Sequence, residues 1–240
     1  MFRQVMMATA LMAANVAPAL AEMIVVAASG DAAFHPGDRI AEGTSLQLPE
    51  GARLTFLFKS GEMKVISGPF EGNIAGDTPA AAPISTWETI KSFLGAAEQK
   101  SEVLGASRKA DSSLPEQPGI WLVSIDSSGK RCARKDQLTF WRRDTDDALT
   151  IALRSEAARA SDLTWPAGSH TLSAPASFAA TEGPLAFSAG SNLRKFDIKV
   201  LPQDLEGAAP GAVLGWLLDS GCTRQASALI SRVHAGEPLE

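Results

Sequence analysis

Turn-forming residues recur every few positions between residues 23 and 74, and this spacing constrains the fold more than any other feature. No stretch between consecutive turns has room for an ordinary helix of about 11–12 residues. The stretches read instead as short strands. Met23-Ile24-Val25-Val26-Ala27-Ala28 is apolar and is stopped by Ser29-Gly30-Asp31. His35-Pro36-Gly37-Asp38 is a turn, and Leu46-Gln47-Leu48 alternates before Pro49-Glu50-Gly51 turns again. Over residues 53–59, Leu54, Phe56 and Phe58 share one face; Ser60-Gly61 permits a tight hairpin, and Met63 and Val65 lead back to Gly68-Pro69. Residues 22–75 are therefore expected to form a compact β unit.

The pattern changes beyond it. Residues 76–83 are rich in Ala and Pro and read as a linker. Ser85 and Glu88 have capping-box spacing, and Trp87, Ile90, Phe93, Leu94 and Ala97 recur with helical period. Residues 76–118 are thus a linker carrying one amphipathic helix that faces a core. A second β-rich unit is expected over 119–205. Its strand candidates are 120–123, 138–141, 149–153, 170–172, 185–187 and 196–201, and turns at Asp126-Ser127-Ser128-Gly129, Pro166-Ala167-Gly168 and Glu182-Gly183-Pro184 separate them. Short strands at this spacing suggest a sandwich. Residues 206–240 read as a helical hairpin and tail, with helices over 212–218 and 223–233 and Ser220-Gly221 between them. The fold class is mainly β.

The start of the chain points to a compartment. Arg3 is followed by a mostly apolar stretch over residues 5–20 that closes with Ala19-Leu20-Ala21. A basic start, an apolar centre and small residues before a cut are the pattern of a signal peptide. Cleavage after Ala21 and a periplasmic location are expected, with no membrane span in the mature chain. The formal net charge of −5 argues against nucleic acid as a partner. The cysteines are Cys132 and Cys222. In an oxidising compartment two cysteines most simply form one disulfide, here between the second β unit and the start of the last helix.

Residues 30–69 resemble a FecR-type periplasmic domain. The matching pieces are Pro36-Gly37-Asp38-Arg39-Ile40, Gly43-Thr44-Ser45-Leu46, Gly51-Ala52-Arg53-Leu54-Thr55-Phe56, Ser60-Gly61-Glu62 and Gly68-Pro69. The resemblance implies a β-rich periplasmic domain. Several members of that family relay an outer-membrane signal to a sigma factor. This chain shows no anti-sigma segment and no spanning helix ahead of the domain, so a binding module is implied rather than direct sigma-factor control.

Catalytic chemistry finds little supply. The three histidines, His35, His170 and His234, have no second His or Cys at zinc-ligand spacing. Ser127-Ser128-Gly129-Lys130 matches S-x-x-K, but Gly129 and the flanking residues form a turn and not the helical turn which that chemistry requires. Asp144-Thr145-Asp146-Asp147 lacks the glycine and distal glutamate of a calcium loop and reads as a solvated turn. No nucleophile elbow, phosphate loop or dinucleotide fingerprint occurs. No catalytic, cofactor or metal residue is assigned.

Lys130, Arg131, Arg134, Lys135, Arg142 and Arg143 form a basic cluster that suits an anionic envelope component or an acidic envelope protein; a solvated strand face balanced by Asp144, Asp146 and Asp147 is the plainer reading. Trp121, Trp141, Trp165 and Trp216 are suited to stacking on sugar rings or to packing in a core. The expected function is a non-catalytic periplasmic interaction or signalling module. The alternative is an envelope hydrolase acting on cell-wall polysaccharide or peptidoglycan.

Overall fold

The computed structural model describes residues 22–77, 87–103, 119–178 and 182–239. The expected signal peptide, Ser85 of the capping box and the polar stretch over 105–118 lie outside them, as does most of the linker.

The first unit has six strands: β1 (Glu22–Ser29), β2 (Arg39–Ala41), β3 (Ser45–Leu48), β4 (Arg53–Phe58), β5 (Met63–Ser67) and β6 (Phe70–Asn73). Four form an antiparallel sheet in the order β2-β1-β4-β5, and β3 pairs with β6. Met23, Val25, Leu54, Phe56 and Phe58 point to one side of the larger sheet and pack with Leu46 and Leu48 of β3. Ile24, Val26 and Leu57 point to the other side, against the helices. Both faces of β1 are thus covered, which is why its sequence is continuously apolar rather than alternating. Arg39-Ile40 and Phe70-Glu71-Gly72-Asn73, which carried no strand signal of their own, are edge elements completing the unit.

The helices are α1 (Trp87–Val103), α2 (Pro210–Asp219) and α3 (Thr223–Ala235). Trp87, Ile90 and Leu94 of α1 are buried, as expected from their spacing, and Phe93 is half-buried. Val213, Leu214, Leu217 and Leu218 of α2 join them, with Ala226, Leu229 and Ile230 of α3. This helical layer is laid directly on β1 and β4, so α3 packs on the first described strand. Pro210 opens α2, and Gly221 at φ 76° turns the chain into α3. A left-handed φ favours glycine at that turn.

The second unit contains β7 (Leu122–Ser124), β8 (Gly129–Ala133), β9 (Thr139–Trp141), β10 (Leu149–Arg154), β11 (Arg159–Trp165), β12 (Thr171–Ser173), β13 (Gly183–Ala189) and β14 (Asn192–Val200). A five-stranded sheet, β11-β10-β13-β14-β8, faces a three-stranded one, β12-β9-β7. Val123 and Phe140 from the smaller sheet pack with Ile151, Leu153, Leu185, Phe187, Phe196 and Ile198 from the larger, enclosing Trp165 and Phe178. The molecule is mainly β, as read from the sequence. Strands β8 and β11 were not anticipated. Strand β8 has Lys130 and Arg131 beside small residues, β11 has Arg159, Ser161, Asp162 and Thr164, and their pairing is set by neighbouring strands rather than by an apolar pattern of their own.

Candidate functional site

The expected disulfide is present: Cys132 and Cys222 are joined, with Cα atoms 6.0 Å apart, inside the distance a disulfide spans. Both cysteines are buried, with Ile120 and Trp121, among the apolar side chains of the helical layer. Next to them Gln225 is also buried. Its Oε1 accepts the Cys132 N–H at 2.8 Å, and its Nε2 donates to the carbonyls of Cys132 and Ile120 at 2.6 Å. Strand β8 lies at the edge of its sheet, so the Gln225 amide takes the place of a further strand and closes that edge. Trp121 lies under the Arg134 guanidinium, and its indole N–H is buried without an acceptor among the described residues.

The six basic residues do not share one surface. Arg131 is buried: it donates to the Ser127 and Lys130 carbonyls and lies over the Phe196 ring. Burial, with Arg224 adding repulsion and Asp126 opposing both, holds its guanidinium below the usual arginine range. Arg142 is buried too. It donates to the carbonyls of Ser169 at 3.0 Å and of Asp147 and Pro166 at 2.7 Å, and its charge lies 5.0 Å from the Trp165 ring centre. It thereby ties together the two loops flanking β10 and β11. Arg143 lies over Trp141 and 3.8 Å from Asp126, while Lys130 and Lys135 are exposed.

The remaining sequence candidates are placed as follows. Ser127 lies in a bend and Lys130 on β8, so the two are not one helical turn apart. Asp144 accepts the Asp146 N–H in an exposed turn. Trp141 and Trp165 are buried, Trp216 half-buried, and His170 stacks on Trp141. His35 is in an exposed turn with Asp38. Among the described residues, no group of three or more His, Cys, Asp or Glu side chains is placed to hold a metal ion.

Two assemblies were not visible in the sequence. The first joins three distant segments. His234 of α3 hydrogen-bonds through Nδ1 to the buried Thr55 hydroxyl at 2.8 Å and through Nε2 to the exposed Ser29 hydroxyl at 2.9 Å. Arg53 donates to the His234 carbonyl. Burial, then the Arg53 charge, lower the His234 pKa. A neutral imidazole with its proton on Nδ1 bonds Thr55 as donor and Ser29 as acceptor, which is the tautomer a histidine base adopts beside a serine.

The second assembly is an open groove of about 620 Å³ on the outer face of the five-stranded sheet. Register builds it. Arg159 lies opposite Arg154, Arg154 opposite Ala186, and Ala186 opposite Lys195. Directly paired side chains stand on one face, so three exposed cations and one alanine form a single row across β11, β10, β13 and β14. Pro184, Ala157 and Ala158 line the rest, with Glu156 in the connecting turn.

In comparisons with known proteins the chain matches no family model and no curated protein.

Proposed function

We propose that the chain is an exported, non-catalytic interaction module of the cell envelope, with a first unit of the FecR type. The observation that carries this reading is the buried Cys132–Cys222 bridge at the junction of β8 and α3. Disulfides form and persist in oxidising compartments such as the periplasm and are rare in the cytosol. The signal-peptide pattern of residues 1–21 agrees with it. The FecR-like reading draws on the turn at Pro36-Gly37, the hairpin at Ser60-Gly61 and the six short strands around them. Its partner would be another envelope protein or an anionic envelope component.

Cell fractionation followed by intact-mass measurement tests export. The expected product is periplasmic, begins at Glu22 and resists alkylation until reduced. Cytoplasmic protein with two free thiols would overturn the reading.

The Ser29–His234 pair favours a second reading, a hydrolase acting on cell-wall material. A serine and a base within hydrogen-bond reach are the minimum for nucleophilic catalysis. The third member here is the hydroxyl of Thr55, not a carboxylate, and stabilises an imidazolium less. Labelling of Ser29 by a fluorophosphonate probe, lost in Ser29→Ala, would establish this second reading. An unlabelled protein leaves His234 the role of a pin between α3 and the first sheet.

A further inference from the structure

Arg154 and Arg159 are directly paired across β10 and β11. Like charges in that position repel, and the pairing is unfavourable unless something negative lies over it. Among the described residues neither arginine has an ion pair, and neither does Lys195 on the same row. Glu156 lies in the intervening turn and leaves the groove with a surplus of two positive charges. Lys199 is matched by Asp197 and Lys64 by Asp77, whereas the exposed Lys130, Lys135 and Arg224 have no ion pair among the described residues. What sets the row apart is its register, which places two arginines directly opposite each other with a lysine on the same face.

Shape adds to charge. The cations cover three strand spacings, about 14 Å. Ala186 in the row and Pro184 beside it keep the floor low and apolar between Arg154 and Lys195. Guanidinium forks at one end give paired donors to planar or tetrahedral oxyanions, and the lysine supplies a point charge at the other. The groove volume is within the range of small-molecule sites.

We propose that this groove binds a doubly charged phosphate group, a monoester or diphosphate, carried on a small organic body that rests on Ala186 and Pro184. A dianion matches the surplus of two charges, and a single carboxylate does not. The proposal gives the interaction module a ligand chemistry. It is read by binding alone, so its failure is distinct from a failure of export.

The test is calorimetric titration of the purified chain with inorganic pyrophosphate, glucose 1-phosphate and glucuronate, repeated with an R154Q/K195Q variant. The expected result is binding of at least one phosphate compound with a Kd of about 1 mM or tighter, weakening with added salt. Glucuronate and the variant should each be weaker by about tenfold or more. An unchanged thermal midpoint shows that the variant is folded. Sedimentation with phosphatidylcholine vesicles, with and without phosphatidic acid, distinguishes a lipid-borne phosphate from a soluble one. Either source supports the proposal. Absence of binding to pyrophosphate, glucose 1-phosphate and phosphatidic acid vesicles overturns it, as does equal affinity for glucuronate or an undiminished affinity in the variant.

Discussion

Gln225 shows how much one side chain settles at the junction between the units. Its amide satisfies the N–H and carbonyl of Cys132 on the buried edge of β8 and the carbonyl of Ile120 ahead of β7, which would otherwise be left bare. An unsatisfied buried group costs about 1–3 kcal/mol, so Gln225→Leu should lower unfolding free energy by about 3 kcal/mol in urea titration. A loss below about 0.5 kcal/mol would show that water replaces the amide. His234 makes a prediction of opposite character, about conditions rather than sequence. Its folded pKa is lowered by burial and by Arg53, so the unfolded chain binds its proton more readily. Stability then rises with pH through the window below about 6.5, the ordinary imidazole value, and falls as acid is added. A pH series of denaturation midpoints should show this slope, and His234→Gln should flatten it.

Close approach of backbones governs the elements. The Gly211 N–H at the start of α2 donates to the Gly61 carbonyl at 2.8 Å, where the first-turn amides of a helix have no partner of their own. A Cβ at Gly211 would collide with Leu57 and with the Gly61 backbone. Gly211→Ala should therefore push α2 off the β4–β5 hairpin and cost about 1–3 kcal/mol, the usual range for overpacking, seen as a lower thermal midpoint. Elements whose signal is local were readable in the sequence: β4 from Leu54, Phe56 and Phe58, α1 from the apolar period of Trp87, Ile90 and Leu94, and the disulfide from compartment and count. Strand β8 was not, because its central Arg131 is turned inward and held by the Ser127 carbonyl of the preceding bend and the Lys130 carbonyl beside it. The same cause dispersed the basic cluster. Neighbours on β8 face opposite ways, so Arg131 went inside while Lys130 stayed in water; Arg142, beyond β9, is drawn in by loop carbonyls, and Lys135 is exposed in a turn. Arg154, Arg159 and Lys195 were missed for the converse reason: strand register, not sequence proximity, puts them in one row.

At the scale of the whole molecule, the helical layer is common property. It buries Ile24, Val26 and Leu57 from the first unit and Ile120, Cys132 and Leu201 from the second. Neither unit can lose it without exposing part of its own core. Unfolding should be cooperative, with amides of β4 and β13 losing protection at the same denaturant concentration in hydrogen exchange. Two well-separated transitions would show that the units are independent. The layer also imposes an order of events on synthesis. Strand β1 is made first among the described elements, and α3, which covers it, is made last. Until Gln225 and Leu229 leave the ribosome, one face of the first sheet stays apolar and uncovered and the edge of β8 stays open. Those are two surfaces on which chains associate wrongly. A nascent chain of this design must wait, in a held and unfinished state, for the helix that covers its first strand.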